Sequence, residues 1–363
     1  MVGKPELRIS GVTPRLCRRP ALHDTVDFAS PGAAPGAIST SDKPTMSDSP
    51  LVLVLAEKDD PQLTLLNTVP HVTGKTAVDF DGKTAEAGAI LHWSGSRDLL
   101  RSVFLASPHV RWVHSRAAGV DNLLFPELVA SEVPLTNGTG VFSASLGEFA
   151  LAAMLYFAKD FHRMRRNQEA GRWEQFDVEE IAGRTVGIVG YGDIGRAVAT
   201  RAHAMGMRVL ALKRHAPDLA DPLIDLYFKP AELNDMLSLC DYVVVCAPLT
   251  PETRHMISTA ALSAMKPTAV LINLGRGPVV DQAALVHALS EKKIRGAALD
   301  VFEQEPIPPG DPIWKLGNLF ISPHCADHTK DWLDDAMRFF VQQYARFRND
   351  EPLENIVQKH LGY

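Results

Sequence analysis

The stretch Thr185-Val186-Gly187-Ile188-Val189-Gly190-Tyr191-Gly192-Asp193-Ile194-Gly195 decides the fold. An apolar, β-branched run passes directly into Gly-x-Gly-x-x-Gly. Helical spacing then follows through Ile194, Val198, Ala202 and Met205, until Gly206 stops it and Arg208–Leu212 reads as a second strand. Each glycine has a mechanical job in that context. Gly190 permits a tight turn, Gly192 lets a pyrophosphate approach the backbone, and Gly195 lets helix and strand pack closely. The helix N-terminus offers free N–H groups and a positive dipole end to the phosphates. The glycine pattern alone is weak, so the strands on either side carry the reading of a dinucleotide-binding βαβ unit.

The end of the second strand sets the cofactor. An NAD site places an acid there for the ribose 2′-OH, whereas this chain has Lys213, Arg214 and His215 and no acid before Asp218. Cations at that point suit the 2′-phosphate of NADP, the preferred cofactor; the alternative is NAD bound beside a solvated basic loop.

Outward from this unit, the 363 residues suit about two domains. With 43 acidic and 37 basic residues, the net charge of −6 gives no footprint for nucleic acid or a membrane surface. The longest apolar run, near 149–158, is about half of what a membrane helix needs. Cys17, Cys240, Cys246 and Cys325 form no C-x-x-C pair, so no disulfide frame or zinc site is expected and a reducing, cytoplasmic setting is the simplest. Residues 1–50 hold seven Pro, six Ser and four Gly without periodicity and read as a disordered tail. Its early basic residues weakly resemble a transit peptide, and Met46 offers a later start.

Buried strands are expected at Leu51–Leu55, 89–93 and 110–115, the last feeding the loop Arg116-Ala117-Ala118-Gly119-Val120-Asp121. One long helix is expected at about 144–169. Beyond the glycine loop, a strand at 241–246 leads into Ala247-Pro248-Leu249-Thr250-Pro251-Glu252-Thr253, and one at 269–273 into Leu274-Gly275-Arg276-Gly277-Pro278. A third, Gly296–Leu299, leads into Asp300-Val301-Phe302-Glu303-Gln304-Glu305-Pro306, and a fourth at 319–322 into Pro323-His324. Such alternation of strands and helices builds parallel sheets.

In order and spacing these blocks resemble the D-2-hydroxyacid dehydrogenase family, which includes glyoxylate/hydroxypyruvate reductases and phosphoglycerate dehydrogenases. The resemblance runs from about Leu51 to the C-terminus. It implies Arg276 as carboxylate clamp, His324 as acid/base and Glu305 as its partner, with backbone N–H groups at Ala118 and Gly119 for the substrate carboxylate. It also implies Asp193 and Ile194 over the pyrophosphate, and Pro248, Thr253, Leu274, Gly275, Arg276 and Asp300 along the cofactor, with Asp300 near the nicotinamide amide; Ala326, for its part, is small enough to sit against a nicotinamide. The residue types fit the chemistry of reducing a 2-keto acid. Imidazole titrates near working pH, a neighbouring carboxylate favours its protonated form, and a guanidinium fork orients a carboxylate. Two departures bear on the substrate: Cys325-Ala326-Asp327-His328 stands where a small residue and glycines are common, and Leu146-Gly147-Glu148-Phe149 has no His after Glu.

The expected fold is α/β: a doubly wound Rossmann cofactor domain at 142–326, inserted in a split, flavodoxin-like substrate domain at 51–141 plus 327–363. The expected reaction is reduction of a small 2-keto acid, such as glyoxylate or hydroxypyruvate, to the D-2-hydroxy acid. A phosphoglycerate dehydrogenase-like enzyme or a cofactor-sensing, corepressor-like interaction protein is the alternative. Family resemblance further implies a homodimer.

Overall fold

The structure is a computed structural model that describes residues 49–214 and 221–363. The expected tail (all but its last two residues), Cys17, His215 and Asp218 lie outside the described residues. Two parallel sheets organise the rest. The first contains β1 (Leu51–Leu55), β2 (His71–Gly74), β3 (Ala87–His92), β4 (Trp112–Ser115) and β5 (Leu135–Thr136), in the order β2-β1-β3-β4-β5. The second contains β6 (Thr185–Val189), β7 (Arg208–Leu212), β8 (Leu226–Phe228), β9 (Tyr242–Val245), β10 (Val270–Asn273), β11 (Gly296–Leu299) and β12 (Leu319–Ile321). Its order, β12-β11-β10-β9-β6-β7-β8, is the doubly wound one, and the first sheet has the flavodoxin-like one.

The covering helices are α1 (Arg97–Ala106), α2 (Pro126–Ala130), α3 (Ser143–Ala158), α4 (Phe161–Glu169), α5 (Asp193–Ala204), α6 (Leu233–Leu239), α7 (Thr259–Ala264), α8 (Gln282–Ser290) and α9 (Trp332–Arg348). Helices on both faces explain why the central strands read as unbroken apolar runs: Val186, Ile188 and Val189 of β6 are fully buried. None of the described helices is long and apolar enough to cross a membrane.

The chain passes from the first sheet to the second through α3, which lays Phe149 and Tyr156 on Phe320 of β12. Gly147 brings α3 against α5, since a Cβ there would stand 2.9 Å from the Ala197 carbonyl oxygen. The return is through α9, whose Phe340 stacks on Trp112 of β4 with ring centroids 5.3 Å apart. Where the two crossings meet, the rings of Phe142 and Trp332 pack edge to face at 6.1 Å. The helix expected at 144–169 is two helices. Asp160 adopts φ 51° and its carboxylate caps Arg163 N–H at 3.3 Å. The apolar spacing that holds α3 on its sheet ends at Ala158, so the polar stretch after it starts a new helix on an aspartate cap.

Candidate active site

The glycine loop is built for close backbone approach. Gly190 sits at φ +95°, and a Cβ there would stand 2.6 Å from the Ala247 nitrogen. A Cβ on Gly195 would stand 2.6 Å from the Gly190 carbonyl oxygen, whereas nothing lies within 4 Å of one on Gly192. That leaves open space directly before the N-terminus of α5, as a dinucleotide pyrophosphate requires, so the loop fits the cofactor. Asp193 opens α5 and accepts a hydrogen bond from the Ser143 hydroxyl. Lys213 is half-buried and Arg214 exposed at the end of β7, with the Arg214 guanidinium 3.9 Å from Glu252.

Arg276 follows β10 and reaches towards the first sheet. Its Nε donates to Asp121 at 2.9 Å and its Nη1 to the Gly275 carbonyl at 3.0 Å. A side chain on Gly119 would occupy the space of this guanidinium, so glycine is required for the approach. Asn137 donates to the Ala118 carbonyl at 2.6 Å and steadies the loop. The N–H groups of Ala118 and Gly119 have no acceptor among the described residues.

His324, at φ 53° after β12, pairs its Nδ1 with Glu305 Oε2 at 2.7 Å. The other Glu305 oxygen accepts Phe302 N–H at 2.8 Å, so the carboxylate cannot swing away. Buried Asp300 collects three donors on one oxygen: the Ser322 hydroxyl at 2.6 Å, Cys325 N–H at 2.9 Å and Ala326 N–H at 3.1 Å. A single carboxylate thereby shapes the loop that presents His324.

These elements enclose a cleft of about 600 Å³ between the C-terminal strand ends of the two sheets. Ala118, Gly119, Gly192, Asp193, Ile194, Pro248, Leu274, Gly275, Arg276, Asp300 and His324 line it. Gly190, Gly195, Lys213, Arg214, Thr253, Glu305 and Ala326 stand outside that lining. The Thr253 hydroxyl is spent inside its own turn on the Pro248 carbonyl at 2.7 Å, and the Ala326 carbonyl accepts the Ser145 hydroxyl at 2.7 Å. Cys246 faces the cleft as a thiol, its pKa pushed up to about 12 by burial.

Sequence reasoning did not assign Arg116, Asn137, Phe142, Ser143 or Trp332, which also line the cleft. Only Arg116 carried a signal, being first in a loop already singled out. Burial also pulls the Arg116 pKa down, against the attraction of Asp60 and Asp327. The Asp327 carboxyl is raised above the usual range, chiefly by burial, with Asp300 adding to the shift and His328 and His324 opposing it.

The family model for the NAD binding domain of D-isomer specific 2-hydroxyacid dehydrogenases matches residues 151–326. A glyoxylate reductase of Korarchaeum cryptofilum is 37% identical over 265 residues, covering 71% of this chain and 79% of that protein. Another, of Pyrococcus horikoshii, is 36% identical over 288 residues, 77% of this chain and 85% of that one. The crystal structure of a D-isomer specific 2-hydroxyacid dehydrogenase from Xanthobacter autotrophicus Py2, in complex with NADPH and MES, superposes with a TM-score of 0.76 at 29% identity. The match covers 87% of this chain and all of that one. With two parallel sheets, a dinucleotide loop and these relatives, the chain belongs to the D-isomer specific 2-hydroxyacid dehydrogenase family and is a nicotinamide-dependent oxidoreductase acting on CH–OH groups.

Proposed function

We propose that this enzyme reduces small 2-keto acids, glyoxylate and hydroxypyruvate among them, to D-2-hydroxy acids, and that NADPH is its preferred cofactor. The observation that carries the reading is the cleft itself, where Arg276, the free N–H groups of Ala118 and Gly119, and the His324–Glu305 pair converge. Relatives named glyoxylate reductase support the substrate class.

A reduced nicotinamide, when bound, supplies the hydride. Arg276, with Nε tied to Asp121, turns its remaining donors to the substrate carboxylate, joined by the N–H groups of Ala118 and Gly119. His324, steadied at Nδ1 by Glu305, gives the proton on Nε2 to the carbonyl oxygen. Gly190, Gly192, Asp193, Ile194 and Gly195 hold the pyrophosphate, Pro248, Leu274 and Gly275 line the cofactor, and Lys213 and Arg214 meet the 2′-phosphate. Residues 51–141 plus 327–363 then act as one body and 142–326 as the other, pivoting where Phe142 meets Trp332 and excluding water on closure. A homodimer fits the exposed apolar side chains of Phe161, Met164, Val178 and especially Trp173, 96% exposed. The cytoplasmic setting expected from cysteine use belongs to the same proposal.

Initial rates with NADPH and with NADH against glyoxylate, hydroxypyruvate and 3-phosphohydroxypyruvate test this. Faster turnover of the first two with NADPH is expected. Turnover confined to the phosphorylated acid would make it a phosphoglycerate dehydrogenase-like enzyme, and cofactor binding without turnover would point to a sensing protein.

A further inference from the structure

In the lining of the cleft, a guanidinium and a carboxylate both stand without the hydrogen bonds that their burial calls for. Arg116 lies between two indoles, its Cζ 5.1 Å from the Trp93 ring centre and 5.3 Å from that of Trp332. Its side chain makes no hydrogen bond or ion pair with any described residue, so its in-plane N–H donors are uncommitted, and it lines the cleft. Asp327 also lines the cleft, and its buried Oδ1 has no hydrogen-bond partner; the nearest cation-capable atom, His328 Nε2, is 3.7 Å away. His328 itself is stacked on Trp332, with ring centres 4.0 Å apart. The arrangement is therefore stiff: two tryptophans fix the guanidinium, and one of them also carries the residue beside the carboxylate.

We propose that Arg116 and Asp327 read hydroxyl groups on the part of the 2-keto acid beyond its carbonyl, selecting hydroxylated, uncharged chains over alkyl chains and over second carboxylates. The inference rests on the reduction proposed above and names its substrate class more narrowly. A hydroxyl both accepts and donates, so a hydroxylated chain satisfies the guanidinium and the carboxylate together. An alkyl chain would cover both and leave them unpaired, which a polar pocket rejects strongly. A second carboxylate meets the wrong charge. Arg116 already has two carboxylates near it, Asp60 and Asp327, so a third anion would face a site with no positive charge to spare. Asp60 is committed elsewhere, accepting Trp93 Nε1–H at 2.8 Å, which leaves Asp327 as the acceptor available to substrate.

The test compares kcat/KM of the full chain with NADPH for hydroxypyruvate, pyruvate and 2-ketoglutarate, with glyoxylate as the substrate that has no third carbon. Hydroxypyruvate should exceed pyruvate and 2-ketoglutarate by on the order of tenfold to a hundredfold, the range that hydrogen bonds to charged groups command. In Arg116→Gln and in Asp327→Asn that ratio should collapse towards one, mainly through KM for hydroxypyruvate. A ratio within one variant cancels any loss of folded protein, and Arg116→Lys, which keeps the charge but not the fork, should fall between. Equal rates for hydroxypyruvate and pyruvate in the unsubstituted enzyme, a preference for 2-ketoglutarate, or ratios unmoved by the substitutions would overturn the assignment while glyoxylate reduction stood. Failure to reduce any of the four would instead overturn the proposed reaction.

Discussion

Arg276 depends on a neighbour that has no side chain. Its guanidinium fills the space that a Cβ on Gly119 would take, while Asp121 and the Gly275 carbonyl hold its Nε and Nη1. Arg276→Ala is expected to lower kcat/KM for glyoxylate by about 10²–10⁴, the scale of lost orientation and charge stabilisation. Gly119→Ala tests the same contact without touching the charge. The methyl must push the arginine aside, so kcat/KM should drop at least about tenfold, since small misplacements are costly. Wild-type kinetics in that variant would remove Arg276 from the reaction. His324→Ala should lose about 10²–10⁴ in kcat, the range of general acid catalysis, while a fluorescence titration still shows cofactor binding. Retained turnover would assign the proton to another group.

At the scale of elements, β4 couples the first sheet to α9 through a buried polar knot. The Thr136 hydroxyl meets Trp112 Nε1–H at 2.8 Å and His114 Nδ1 at 2.7 Å, and Phe340 packs against both rings. Complete burial pushes the His114 pKa down to about 3 from the ordinary 6.5. Because the folded value is the lower one, the unfolded chain binds the proton first on acidification. The stabilisation is therefore whole above pH 6.5 and is lost as pH falls from there towards 3, with a slope of at most about 1.4 kcal/mol per pH unit. His114→Asn should flatten this part of the curve of thermal stability against pH, and an unchanged slope would place the titration elsewhere. The same sheets show what a sequence discloses. Strands buried on both faces, such as β1, β6 and β10, announce themselves as apolar runs, and the site loops follow directly from their ends. The strands that escaped notice, β2, β5 and β8, lie at sheet edges: β2 keeps no apolar run, and β5 and β8 are only two and three residues long. The break at Asp160 was equally silent, since an aspartate inside a helical pattern looks alike whether it caps or continues. Arg116, Trp332 and Asp327 could not be joined from sequence, because only the return of the chain through α9 brings them into one cleft.

For the molecule as a whole, electrostatics decides how a dinucleotide is chosen. A chain of net charge −6 gains nothing from its overall field in attracting a cofactor that carries several phosphates, so attraction must be local. Just past the end of β7 two cations stand side by side, Lys213 and Arg214, and among the described residues the carboxylate paired with Arg214 is 3.9 Å away on a mostly exposed Glu252, too loose to neutralise it. The proposed 2′-phosphate contact is thus a surface one, strengthened by charge and weakened by salt. Replacing both residues, Lys213→Ser with Arg214→Ser, should raise KM for NADPH by about tenfold to a hundredfold, the worth of charge-assisted hydrogen bonds, and leave KM for NADH within about twofold. Raising salt from 50 to 500 mM should mimic the substitution for NADPH and do little for NADH, since only the former carries the 2′-phosphate. The substituted enzyme should then lose the salt dependence of its cofactor preference altogether. If instead NADPH and NADH weaken together, the two cations serve the shared pyrophosphate or the general field, and the discrimination lies outside the end of β7.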